Sequence, residues 1–362
     1  MFEDIINAVK SDSQQGILAG QEITPIPVSA DENARIRITV IGVGGAGCNC
    51  VNRMVQAGIK SANAIAINTD GKQLKAIEAH KKILIGKNIT RGMGAGGDPE
   101  IGKKCAEADL ETLKKEIGEN EIVFLTGGMG GGTGTGVLPI VARIAKEGGA
   151  TVIAFVTYPF NLERAKLKVA QKGIQELITV ADTVVVIDNN RLLDYAPNMP
   201  IDQAFELVDS ITSQAVTGIS DTIMFPSLMN IDYADIKAIM QGGGVAFISL
   251  GESSGHDKVQ DVIKASMAHP LLDVDCENAK GALVHLEGGP DLTLGDAIKI
   301  GEGVTSTMDP DANVKVGARI NPSLSGGVRV ISIVVGVKSP MMFKREAPGG
   351  IVHLTDEDMA DL

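Results

Sequence analysis

Between Arg35 and Asn190 the chain repeatedly drives a wholly apolar segment into a glycine-rich or polar turn and then into a helical pattern. The runs are "RIRITVIGV", "NAIAINTD", "KILIG", "EIVFLTGG", "ATVIAFVTYP" and "ADTVVVIDNN". Past the alternating start of the first, "RIRIT", their cores are continuously apolar, so each needs cover on both faces. That predicts a parallel sheet sandwiched between helices. Helices are expected from about Cys48, over the single stretch "DPEIGKKCAEADLETLKK", from about Thr135 to Lys146, and between the last two runs. Asp98 reads as the cap of the second and Pro99 as its first residue.

A long helical pattern follows from about Ile201. Beyond it come strands near 245–250, 282–287, 313–320 and 328–337, with helices near 256–268 and 293–302. The expected fold is α/β: a parallel, Rossmann-like nucleotide domain over 35–200, a central helix over 201–224 and a smaller α+β domain over 225–340. Residues 1–34 read as an extension and linker. Phe2, Ile5, Ile6 and Val9 share a helical face there, suited to docking on the body or to tethering a partner. Residues 341–362 read as a short acidic tail.

Composition narrows the function. The net charge is −12 and no basic block occurs, which excludes nucleic acid as the main partner. Apolar runs such as "VISIVVGV" are too short for a membrane span. Cys48, Cys50, Cys105 and Cys276 lack C-x-x-C spacing, so neither a zinc site nor a disulfide framework is expected. The opening "MFEDIINAVKSD" has no signal-peptide pattern, and a cytoplasmic setting is expected.

Three glycine-rich segments meet at strand-to-helix junctions: "GVGGAGCN" (42–49), "GMGAGGDP" (92–99) and "GGMGGGTGTG" (127–136). In an open parallel sheet these junctions form the ligand-binding end. Bare main chain at helix starts suits phosphate oxygens. The first segment, with Asp70 ending the next strand, also fits the dinucleotide fingerprint of a nicotinamide-dependent oxidoreductase. Three loops suit a longer polyphosphate better than one pyrophosphate. No P-loop is present, since Thr133 stands where its lysine would be.

The motifs "GGGTGTG" (130–136), "GVGGAGCN", "NTD" (68–70), "GMGAGGDP", "PFNLE" (159–163), "IDNN" (187–190) and "NIDYAD" (230–235) resemble those of the tubulin/FtsZ family, in order and at similar spacing. The likeness covers roughly residues 35–337 and is closer to the FtsZ branch, with an archaeal texture. It implies a self-assembling GTPase of a prokaryotic division ring that binds GTP or GDP. Mg²⁺ would be held mainly through the phosphates. The chain itself is the implied partner, head to tail, with membrane-adaptor or division proteins as further partners and no direct membrane insertion.

The resemblance implies nucleotide contacts from Gly44, Gly45, Ala46, Gly47, Cys48 and Asn49, from Asp70, from Ala95, Gly96 and Gly97, and from Gly131, Gly132, Thr133, Gly134 and Thr135. It implies a ribose contact from Glu163 and base contacts from Asn189, Phe205 and Asp209. Where relatives often carry Arg, four residues after the glutamate, this chain has Leu167, flanked by Lys166 and Lys168.

No general base lies in the phosphate loops. Asp232 and Asp235, three residues apart, share a helical face and suit either water activation or helix capping. A helix of some 22 residues, roughly 33 Å long, separates them from the nucleotide of their own subunit. A head-to-tail neighbour would have to bring them, and such a contact builds a filament. The family implies the same in-trans role for Asn230, Asp232 and Asp235. A nucleotide-binding scaffold that no longer hydrolyses is the third reading, and the intact carboxylate pair weighs against it.

Overall fold

The computed structural model describes residues 36–192, 200–225, 229, 231–241, 243–268 and 279–337. Asn230, Cys276, the N-terminal extension and the acidic tail lie outside the described residues.

The elements run β1 (Ile38–Val43), α1 (Gly44–Gln56), β2 (Asn63–Asn68), α2 (Gly71–Ala76), β3 (Lys81–Leu84), α3 (Lys87–Thr90), α4 (Pro99–Ala108), α5 (Leu110–Ile117), β4 (Ile122–Gly128), α6 (Gly132–Glu147), β5 (Thr151–Tyr158), α7 (Arg164–Ile178), β6 (Thr183–Asp188) and α8 (Ile201–Met224). Then follow α9 (Tyr233–Met240), β7 (Gly244–Ser253), α10 (Lys258–Ala268), β8 (Gly281–Gly288), α11 (Leu294–Val304), β9 (Asn313–Ile320) and β10 (Val328–Val335).

The strands form one ten-stranded sheet in the order β3-β2-β1-β4-β5-β6-β7-β10-β8-β9. β1 to β6 pair in parallel, as the apolar runs require. Alternate residues serve opposite faces. Val123 and Leu125 join the core beneath α4 to α7, while Ile122 and Phe124 join the core beneath α1, α8 and α9. The C-terminal part is antiparallel across β7, β10 and β8. It is linked to the first six strands through the sheet as well as through α8: Thr183–Val185 pair in parallel with Gly244–Ala246.

Three helix boundaries differ from the sequence reading. The stretch from Pro99 to Ile117 is two helices, not one. The break is at Asp109, whose carboxylate takes the Gly86 N–H at 2.6 Å. α1 and α6 begin inside their glycine runs, at Gly44 and Gly132, several residues earlier than helix propensity suggests. Close packing explains this. A Cβ on Gly47 would lie 2.2 Å from the Thr126 carbonyl oxygen, and one on Gly134 would lie 2.3 Å from that of Gly128. These helices start early because glycine lets them press onto β4.

Candidate functional site

At the carboxyl ends of the parallel strands lies a cavity of about 440 Å³. All three glycine segments reach it: Gly44, Gly45 and Ala46 from the first, Gly94 and Gly96 from the second, and Gly131, Gly132, Thr133 and Gly134 from the third. Asp70, Glu163, Asn189 and Phe205 complete the predicted residues on its wall.

Other predicted residues do not line it. Gly47 is packed on β4, as described. The Cys48 thiol turns into the core, 3.6 Å from the Ile67 carbonyl oxygen, and burial pushes it up to about 12. Asn49 is exposed beside the loop. Ala95 is buried, and its carbonyl accepts from the Asp98 N–H. Gly97 supplies a left-handed turn at φ 82°. The Thr135 hydroxyl accepts from the Gly130 N–H at 2.9 Å and so fastens the signature loop.

The walls also include residues that were not among the predicted contacts: Asn68 and Met93 from within the quoted motifs, and Gln73 and Thr157 from outside them. Asn68 donates to the Gln73 side chain at 3.1 Å, which sets Gln73 beside Gly45. Thr133 shares a 2.7 Å hydrogen bond with the Thr69 hydroxyl, in which either group can donate. Asp70 caps α2, accepting from Lys72 and Gln73 N–H groups.

Some helices carry side-chain caps and others, α3, α5, α7 and α8 among them, do not. Asp70, Asp98, Asp232 and Thr293 cap α2, α4, α9 and α11 with their side chains. Among the described residues, α1 and α6 have no side-chain cap and no acidic residue in the first turn. Both helices start on the cavity wall. Their first-turn N–H groups and dipoles are left for an anionic ligand.

The opposite wall suits a nucleoside. Asp188 accepts from the Asn190 N–H and amide, while the Asn190 amide also donates to the Pro159 carbonyl. That clamp leaves Asn189 facing the cavity. Its Oδ1 is buried without a protein partner, an acceptor awaiting a donor. The Phe205 ring is 43% exposed and meets Phe160 edge-on at 5.8 Å, so packing does not consume its face. Asp209, one turn further along α8, is not among the cavity's lining residues. Its carboxylate faces Arg53 at 3.6 Å. Burial pushes it up to about 6, although Arg53 pulls the other way. Glu163 accepts from the Phe160 N–H at 3.1 Å and from Lys166 at 2.6 Å. Leu167 is half-buried, and its carbonyl accepts from the Tyr158 hydroxyl.

Asp232 and Asp235 lie elsewhere. Asp232 is the N-cap of α9, its Oδ1 accepting from the Asp235 N–H at 2.7 Å. Asp235 pairs with Lys315 on β9, which holds it below the usual carboxylate range. Tyr233, the residue after Asp232, places its hydroxyl 3.4 Å from that of Thr151, the first residue of β5. Thr157, near the other end of β5, lines the cavity. Six strand residues span roughly 20 Å. Phe205 to Met224 along α8 spans roughly 28 Å. The carboxylates are therefore at the far side of the sheet from their own cavity.

Comparison with known proteins agrees with this layout. The family model described as "Tubulin/FtsZ family, GTPase domain" matches residues 37–197, and "FtsZ family, C-terminal domain" matches 244–338. The chain is 55% identical over 313 residues to "Cell division protein FtsZ 2" of Methanocaldococcus jannaschii, covering 86% of this chain and 82% of that one. It is 51% identical over 309 residues to the Halobacterium salinarum protein of the same name, covering 85% and 79%. Among solved structures, "FtsZ dimer, empty (M. jannaschii)" superposes with a TM-score of 0.81 at 43% identity, covering 84% of this chain and 89% of that chain. The dinucleotide-oxidoreductase reading of the first glycine turn is set aside by these matches. A GTPase domain matched over the three glycine segments, an FtsZ C-terminal domain matched over β7 to β10 and identity above one half along most of the chain lead to one assignment: this chain belongs to the tubulin/FtsZ family.

Proposed function

We propose that this FtsZ-type cell-division GTPase binds GTP in the cavity at the carboxyl ends of β1 to β6. Hydrolysis there is completed by Asp232 and Asp235, with Asn230, of a second copy stacked head to tail. The observation that carries the reading is the pair of uncapped helices, α1 and α6, both starting on the cavity wall. They offer main-chain donors to a polyphosphate without any P-loop lysine.

The base is read from the other side. Guanine presents a ring N–H and an exocyclic amine side by side. Asp209 accepts from such a pair, Asn189 Oδ1 takes a further donor, and Phe205 offers its face for stacking. Adenine lacks those donors and would leave buried acceptors unpaired. Glu163 faces the ribose hydroxyls.

Among the described residues no three His, Cys, Asp or Glu side chains cluster as metal ligands. A Mg²⁺ ion would neutralise phosphate charge, carried by the phosphates with Asp70 and Gln73 as nearby side-chain oxygens. In the water-attack step, Asp235 orients the water and Asp232 shares the polar face. Since each active site needs a neighbour, assembly and hydrolysis are coupled. The contact is heterologous and propagates as a filament.

No described helix is long and apolar enough to cross a membrane. Attachment of the division ring to the membrane would fall to an adaptor. Sedimentation and direct titration with GTP, GDP, ATP and NADH test the reading. GTP should bind and drive pelleting, GDP should bind without it, and ATP and NADH should do neither. Equal binding of ATP and GTP would overturn the base assignment.

A further inference from the structure

Lys166 is the one cationic side chain lining the cavity among the described residues. The wall carries two carboxylates, Asp70 and Glu163, in a chain of net charge −12. A polyphosphate entering such a site needs compensating charge. Backbone dipoles supply partial charges only.

The placement of Lys166 is built into the fold. Gly130, at φ 96°, is pressed onto the first turn of α7: a Cβ there would lie 2.9 Å from Lys166 Cβ and 3.0 Å from its carbonyl oxygen. The signature loop thus rests on the backbone that carries this ammonium. The ammonium is engaged by Glu163 Oε2 at 2.6 Å, while Glu163 Oε1 takes the Phe160 N–H. Both carboxylate oxygens are occupied, so Glu163 as it stands has reduced capacity for a sugar hydroxyl.

We propose that Lys166 is an affinity-determining residue for the nucleoside polyphosphate. On binding, its ammonium exchanges from Glu163 to a phosphate oxygen. The exchange neutralises the ligand and releases Glu163 Oε2 to accept from the ribose. One flexible side chain thereby couples phosphate recognition to sugar recognition. The inference rests on the nucleotide occupying this cavity.

The test is direct titration of GTP and GDP at low and high salt with the full chain and with Lys166→Met, Lys166→Arg and Asn189→Ala. At about 0.05 M salt, Lys166→Met should bind both nucleotides roughly tenfold more weakly, the effect of one charge-assisted contact. At about 1 M salt the Lys166→Met and wild-type affinities should converge, because an exposed charge is screened there. Lys166→Arg should keep most of the affinity. Melting curves confirm that each variant is folded, and Lys166→Gln repeats the test if Lys166→Met is not. A loss that persists undiminished in high salt would mean that Lys166 only positions Glu163, and would overturn the proposal, as would no loss at all. If Asn189→Ala weakens GTP binding while Lys166→Met does not, the proposal alone fails. If neither matters, the cavity assignment fails.

Discussion

Lys315 Nζ lies 2.7 Å from Asp235 Oδ1, joining the edge strand β9 to the first turn of α9. The pair keeps Asp235 ionised at neutral pH and below the usual carboxylate range. Asp235→Ala should slow GTP hydrolysis by about 100- to 10,000-fold while leaving GTP affinity nearly unchanged. Lys315→Met removes the cation, so the Asp235 pKa rises and the acid limb of the rate profile moves to higher pH. Steady-state rates across pH check both. Wild-type turnover by Asp235→Ala would sink the in-trans carboxylate mechanism.

The capping role of Asp232 can be separated from the catalytic role proposed for it. It caps α9 through its side chain, so Asp232→Ala should lose about 1 kcal/mol of stability as well as activity. Asp232→Asn retains a capping oxygen. It should melt like wild type yet hydrolyse slowly, since an amide does not accept the water's proton. Denaturant titration beside turnover assays distinguishes the two losses.

Burial raises Asp209 to about 6. The guanine contact proposed for Asp209 requires the ionised form. GTP affinity should therefore fall below pH 6, reaching about tenfold weaker at pH 5 than at pH 7. The stability sign is opposite. A carboxyl whose folded pKa exceeds its unfolded value favours the empty fold most below the unfolded pKa of 3.8, and that contribution is lost as pH rises through 6. Calorimetric titration against pH measures the affinity, with Asp209→Ala expected to abolish the step and relax discrimination against ATP.

Complementation tests the shared site. A Cβ at Gly132 would sit 2.8 Å from the Asp98 nitrogen, so substitution there disturbs folding as well as binding. Gly131 is the better choice. A Cβ there meets nothing within 4 Å, its backbone is extended, and a glutamate would repel phosphate. Gly131→Glu and Asp235→Ala should each be inactive alone. Mixed, the first lends Asp235 to the GTP held by the second, and activity should partly return. Wild-type specific activity should also vanish on dilution. A rate per molecule that stays constant into the monomer range refutes the model.

The signature glycines differ in what they contribute. Gly134→Ala forces a methyl to within 2.3 Å of the Gly128 carbonyl oxygen and should cost about 1–3 kcal/mol or more. Gly131→Ala should be near neutral for stability. Equilibrium unfolding without nucleotide compares them.

The strands were legible because parallel burial leaves an unmistakable apolar run. The three loops were legible because glycine clusters at junctions have few other uses. Helix starts were not, since Gly44 and Gly132 are helical through packing on β4, which propensity cannot register. Nor was the break at Asp109, which depends on the Gly86 N–H 23 residues away. Lys166 stood out only as a neighbour of Leu167. Gln73 carried no signal, because its role comes from Asn68 orienting it. The β6–β7 pairing was hidden too: the chain between those strands is long enough to separate two modules or to join them.

The order of the sheet also restricts how copies can meet. Its outermost strands are β3 and β9. β3 is four residues long and carries Lys81 and Lys82, and β9 has its free edge bridged at Ala318 by Met229. Short, charged or covered borders resist accretion by strand addition. Sideways growth into an amyloid-like ribbon is thereby discouraged on both flanks. In the head-to-tail stacking proposed above, growth runs along the strands, with the cavity at one pole and α9 at the other. The polarity of such a polymer would be inherited from the direction of its strands.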